Sequence, residues 1–257
     1  MSTLLFASVA TLVFCAPGYP GGAGDAQPFV EKFASAAATA AGWPPASLAA
    51  VYDPTEQGGL AKLGGSDAVL AFVPYAFFFQ HGAQLHLAPL VQADVTGVGS
   101  EERWSLVAKA GVVSSPASLA GYTLVSVAGY APDFVRHAAL GAWPLPPDVK
   151  IESTGQLLSA LRRIAGGEHV VALLDQTQAA ALPTLPFAAQ LATVAQSTPL
   201  PVALVAVIGT RLPDARARAL QAALLKMGHL AADADSLAQL HLRGFVLPQI
   251  PAPASAP

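Results

Sequence analysis

The sequence predicts an α/β fold with mainly parallel sheets, and three observations carry that expectation. Short runs that are apolar on both faces recur along the chain, segments of helical period lie between them, and glycine, proline or polar turn residues close each run. A strand with no polar face needs cover on both sides, which helices flanking a parallel sheet supply. Strand alternating with helix over the whole length belongs to that class rather than to a bundle or a sandwich.

Taken in order, the first strand is expected over Thr11–Cys15. Pro28 then opens a helix whose inner face carries Phe29, Phe33, Ala37 and Ala40. Strands follow over Val69–Phe72, Ser105–Lys109 and Thr123–Val127. A second helix aligns Leu157, Leu158, Leu161 and Ile164, with Ser153 or Thr154 as its N-cap and Gly166-Gly167 as its stop. Val170–Leu174, Leu191–Ala195 and Val202–Ile208 complete the strands, and a third helix after Pro213-Asp214 aligns Leu220, Ala223, Leu224 and Met227. The tail Pro251–Pro257 (PAPASAP) has a composition that does not pack and reads as disordered.

Composition narrows the function classes. At 257 residues the chain fits one large domain or two lobes of ordinary size. Charged residues make up only 11%, against about 25% in an average protein. With 13 basic against 16 acidic residues, and no basic cluster beyond Arg162-Arg163 and Arg216/Arg218, nothing here is an electrostatic footprint for nucleic acid. A membrane-spanning helix needs about 18–20 apolar residues in a row, and past the first strand every run is broken by Gly, Pro or charge. Met1–Ala16 is almost wholly apolar and resembles a leader peptide without the positive start. Cleavage after Ala16 would remove the first strand, whereas cleavage after Ala10 leaves a short apolar region, so a truncated leader and an uncleaved start both stay open.

Enzyme signatures are missing: the chain has no GxSxG, GxGxxG or Walker loop. None of its six histidines falls at a metal-ligand spacing, so no metal and no cofactor is expected. Cys15 is the single cysteine and reads as a small apolar strand residue. Asp175 with His137 or His169 is the one acid–base candidate, and a strand's length separates Asp175 from His169.

Open α/β sheets bind ligands at the carboxyl ends of their strands, so the turns there are the informative ones. The first strand ends in Ala16-Pro17-Gly18-Tyr19-Pro20, and the second in Pro74-Tyr75-Ala76-Phe77. Thr123–Val127 leads into Ala128-Gly129-Tyr130-Ala131-Pro132-Asp133, and Val170–Leu174 into Asp175-Gln176. Tyr19, Pro20, Pro74, Tyr75, Phe77, Gly129, Tyr130, Ala131, Asp175 and Gln176 are therefore the candidate ligand contacts, lining an aromatic-walled cleft.

The succession of segments resembles the type II periplasmic binding proteins, and within them the phosphate/phosphite/phosphonate-binding branch of ABC-transporter components. The stretches that carry the resemblance are TLVFCAPGYP at Thr11–Pro20, SDAVLAFVPYAFF at Ser66–Phe78, WSLVAKAG at Trp104–Gly111 with SLAG at Ser118–Gly121, IAGGEHVVALLD at Ile164–Asp175, LPVALVAVIGTRLP at Leu200–Pro213, and GFVLP at Gly244–Pro248. The resemblance implies two lobes joined by two hinge crossovers, the first of residues 11–105 with 203–250 and the second of residues 106–202. It also implies a monomer in the periplasm or cell envelope that closes around a small molecule and delivers it to a membrane transporter or another envelope partner. Other classes on the same fold, an enzyme or an interaction protein without a ligand, remain as alternatives.

The departures from the family pattern concern the anion site. Phosphonate binders of this branch carry a Ser/Thr-rich turn at a helix N-terminus, and here that turn is Ala128–Asp133, with alanines, a proline and a carboxylate. The family's histidine on the next helix falls at Gly155 or Gln156, and the aromatic of its Gly-Pro segment falls at Phe77, which has no hydroxyl. Asp175 alone keeps a charged counterpart. The expected ligand is therefore neutral, apolar-bodied or cationic, with a lipid-like cargo included.

Overall fold

A computed structural model describes residues 9–19, 21–229 and 231–251. Pro20, the start of the apolar N-terminal stretch and residues 252–257 of the expected tail lie outside the described residues.

Four strands open the chain: β1 (Ala10–Cys15), β2 (Leu48–Asp53), β3 (Ala68–Pro74) and β4 (Leu87–Val95). The two-residue strand β5 (Glu101–Glu102) leads to β6 (Ser105–Lys109), β7 (Thr123–Ser126), β8 (Lys150–Ser153), β9 (Val170–Leu174) and β10 (Leu191–Gln196). Another two-residue strand, β11 (Leu200–Pro201), returns to β12 (Ala203–Ile208) and β13 (Leu242–Val246). β1, β6 and β9 have almost no solvent-facing position, which places each inside a sheet covered on both sides.

Two sheets result. The first has six strands in the order β13-β4-β12-β3-β1-β2, and the second has five in the order β10-β6-β9-β7-β8. β2, β1 and β3 run parallel, as do β8, β7 and β9, while the return strands add antiparallel pairs at the other edge of each sheet. β5 and β11 pair antiparallel as a separate ribbon, so both passages of the chain between the sheets lie side by side.

Helices cover the faces: α1 (Ala23–Ala40), α2 (Glu56–Leu63) and α3 (Tyr75–His81) in the first part of the chain, α4 (Leu157–Gly166) and α5 (Gln176–Ala181) in the second, then α6 (Asp214–Leu224) and α7 (Ala231–Ala238). One face of the six-stranded sheet packs Phe14, Phe72 and Phe245 around Phe33 of α1, with ring centroids 4.8–6.1 Å apart. A second cluster spans both sheets, joining Tyr75 of α3 and Leu204 of the first sheet to Leu106, Leu124 and Leu173 of the second through Trp104 and Phe134.

Two helix readings need correction. α1 begins at Ala23, with Pro28 inside it, and its buried face is Val30, Phe33, Ala34, Ala37 and Ala38. Phe29 and Ala40 face solvent, because the helix lies on the sheet through a stripe of alanines one position further round. In α4 the N-cap is Gln156, whose N–H donates to Thr154 Oγ1 at 3.1 Å, and Leu158 is exposed. Leu161 and Ile164 are buried as expected, and so are Leu220, Ala223, Leu224 and Met227 after Pro213.

Gly129 shows why one turn tolerates no side chain. A Cβ there would lie 2.2 Å from the Glu152 carbonyl oxygen, within backbone that does not yield. Gly129→Ala is expected to lower stability by about 1–3 kcal/mol through overpacking, measured as the shift of the urea midpoint; an unchanged midpoint would contradict this packing.

Candidate ligand-binding cleft

The loops after β1, β3 and β7 meet the β5/β11 ribbon at one place. Pro17 and Tyr19 come from the first loop, Pro74, Tyr75 and Ala76 from the second, and Val127, Ala128 and Tyr130 from the third; Glu102, Trp104 and Val202 come from the crossings. Together they enclose a cavity of about 10 Å³, room for a single water. Asp175, after β9, is buried next to this lining, and its charge acts on both Tyr19 and Glu102.

Each wall has a local cause. The Tyr75 N–H donates to the Val202 carbonyl at 3.0 Å, which ties the start of α3 to the second crossing. Gly18 adopts a φ of +83°, and a Cβ on it would lie 2.2 Å from the Val127 carbonyl oxygen, so the first loop rests against backbone of the second sheet. The Ser126 hydroxyl donates to the Leu173 carbonyl at 2.8 Å and accepts from the Ala128 N–H, which sets the third loop on β9. Across the seam, Tyr75 and Phe79 of α3 pack edge-on to Phe134, which lies 5.2 Å from Trp104.

The ten positions expected from sequence divide. Tyr19, Pro74, Tyr75 and Tyr130 line the cavity. Asp175 stands beside it and caps α5, accepting from the Gln178 N–H at 2.8 Å. The Gln176 N–H approaches Glu102 Oε2 at 3.4 Å, and its side chain donates to the Val98 carbonyl. Phe77 is not on the lining: it is fully buried under the six-stranded sheet, against His81 at 4.9 Å. Gly129 and Ala131 are buried in the turn without reaching the cavity, and Pro20 lies outside the described residues. Asp133, expected to put negative charge in the anion site, is exposed instead; its carboxylate accepts from the Gln80 side chain at 3.2 Å and its N–H donates to Gln80 Oε1 at 3.0 Å.

Sequence reasoning missed Glu102 and Trp104. Glu102 is 5% exposed, in a strand only two residues long, and the available signal was a Glu-Glu-Arg-Trp run in a chain with little charge. Burial, and then the negative charge of Asp175, push the Glu102 carboxyl up to about 8. Burial likewise raises Asp175, and it raises the Tyr19 and Tyr130 phenols above their ordinary range. Cys15, packed under α2, is pushed up to about 12, chiefly by burial, which disfavours its thiolate. His169 stacks on Tyr122 at the far end of β9 from Asp175, so that pair does not assemble.

The raised Glu102 value fixes the sign of a pH effect. The folded state holds this proton more tightly than the unfolded chain, so the contribution to stability is complete below about 4.5 and is lost as pH climbs through about 8. The midpoint of thermal unfolding is expected to fall over that window in the native chain and to fall much less in Glu102→Gln. Parallel profiles for the two proteins would contradict the assignment.

Comparison with known proteins places this geometry. Residues 105–250, more than half of the chain, match the family model described as ABC transporter, phosphonate, periplasmic substrate-binding protein. No curated protein matches the chain in sequence. Among solved structures it resembles XAC2383 from Xanthomonas citri bound to ATP, with a TM-score of 0.69 at 15% identity over 95% of this chain and 92% of that one. It also resembles a binding-protein component of an ABC phosphonate transporter from Pseudomonas aeruginosa, with a TM-score of 0.60 at 15% identity over 92% of this chain and 80% of the other. PhnD1 from Prochlorococcus marinus in complex with methylphosphonate gives 0.57 at 11% identity over 93% of each chain. These likenesses carry the two-lobed type II fold, and with the family match they identify the chain as a member of the phosphonate-type periplasmic substrate-binding proteins of ABC transporters.

Proposed function

We propose that this substrate-binding protein, acting as a monomer in the periplasm, closes residues 11–105 and 203–250 against residues 106–202 around one small ligand, and delivers it to a membrane transporter. Hinge closure driven by a ligand that touches both lobes is the motion this architecture allows. Three loop tyrosines, Trp104 of the first crossing and Val202 of the second meet at one cavity, which supports the cleft as the binding site. Tyr19, Pro74, Tyr75 and Tyr130 are its proposed contacts, with Asp175 and Gln176 beside them.

The ligand on this reading is not an oxyanion, and the state of the turn after β7 carries that conclusion. An anion at a helix N-terminus is held by free N–H groups. Pro132 has no N–H to offer, and the Asp133 N–H is already engaged by Gln80. The ionisable groups beside the cavity are the buried carboxyls of Glu102 and Asp175, and no Lys, Arg or His lines it, so a desolvated anion would meet no positive charge there. The fold itself is neutral on the point, since its neighbours are recorded with methylphosphonate, with ATP and, in an ancestral binding protein with a TM-score of 0.53 at 15% identity, with arginine.

Isothermal titration with methylphosphonate and with phosphite tests this directly. No saturable heat is expected at millimolar concentrations of either compound. Micromolar or tighter binding of one of them would overturn the loss of the anion site.

A further inference from the structure

Buried carboxylates in proteins are normally neutralised by a basic side chain or a metal. Glu102 has neither among the described residues. Its hydrogen-bond partner is the Gln176 N–H, at a long 3.4 Å, and the Trp104 side chain lies beside it in the lining. No lysine, arginine or histidine lines the cavity, and no group of acidic, histidine or cysteine side chains among the described residues is arranged to hold a metal ion. The charge that acts on it most strongly, Asp175, has the same sign. Around this carboxylate stand Tyr19, Tyr75, Trp104 and Tyr130, rings whose faces attract a cation most strongly where water is excluded.

We propose that the cleft takes a small alkylated ammonium ion, with Glu102 as its counter-charge and the four aromatic side chains as its walls; this rests on the cleft being the ligand site. An alkylated ion fits better than a primary one because the carboxylates are partly used. Asp175 accepts from the Gln178 N–H, and Glu102 accepts from the Gln176 N–H. What the site offers in surplus is charge and aromatic surface. A cavity of about 10 Å³ does not admit such an ion without separation of its walls, so binding is read at Trp104.

Proton and cation compete for Glu102. The titratable groups around it are Asp175, Tyr19, Tyr75 and Tyr130, and the three tyrosines are raised by burial and stay neutral below pH 8. Ion affinity therefore rises with pH, by up to about tenfold per unit between 6 and 8 for one proton displaced.

The test uses the full chain with Trp43→Phe and Trp143→Phe, which leaves Trp104 as the one indole. Tetramethylammonium chloride, its near-isostere tert-butanol, and methylphosphonate are titrated at constant ionic strength at pH 6 and pH 8. Tetramethylammonium is expected to change Trp104 emission saturably, at least tenfold more tightly than tert-butanol and more tightly at pH 8. Glu102→Gln, folded as judged by an unchanged unfolding midpoint at pH 5, is expected to lose that preference. Equal binding of tert-butanol, no saturable response to tetramethylammonium, or an undiminished preference in Glu102→Gln each overturns the proposal. A response to tert-butanol or methylphosphonate alone removes the charge assignment and leaves the cleft as the site, whereas silence from all three removes both.

Discussion

The arrangement depends on one carboxylate held where water does not reach it. Glu102 sits on the ribbon in which the chain passes from the first sheet to the second, opposite Leu200 of the return passage. A charge there is costly unless it is protonated or paired, and the raised value of its carboxyl expresses that cost. The same residue lines the cavity where the loops after β1, β3 and β7 meet.

The surrounding contacts explain how the halves meet without a designed gap. Gly18 lets backbone of the first loop touch backbone at Val127, Gln80 and Asp133 exchange two hydrogen bonds, and the rings of Tyr75, Phe79, Phe134 and Trp104 pack across the seam. On the proposed reading, a ligand would shift the hinge by its differential contacts with the two halves. The phosphonate-type family thus supplies the frame, while the loops set the charge. On the proposed reading, the turn after β7 is engaged with α3 rather than with an anion.

How much was legible in the sequence follows from burial. β1, β3, β6 and β9 are apolar on both faces because helices or the other half cover them, and the runs announced them. β2 and β8 are edge strands with exposed positions, and β4 carries Pro89 and Gln92 inside it, so neither pattern stood out. Gln92 is buried yet satisfied, by the Ser100 carbonyl and the Gln249 N–H, a solution invisible before the chain folds. The site was partly legible for the same reason. Strand ends are set by local pattern, so Tyr19, Tyr75 and Tyr130 could be placed in the loops that meet at the cavity; the direction of a side chain is set by packing, so Phe77 lies in the core and Asp133 faces solvent. Glu102 owes its burial to a partner strand about a hundred residues further on, which no local pattern encodes.

The most direct measurement is the titration of the Glu102 carboxyl itself, followed through its infrared carbonyl band by difference between the native chain and Glu102→Gln. A protonated band that persists through neutral pH and titrates near 8 is the expected result. A carboxyl already ionised at pH 5 would mean that this group is solvated or paired by a basic side chain, and the account of the cleft would fail with it.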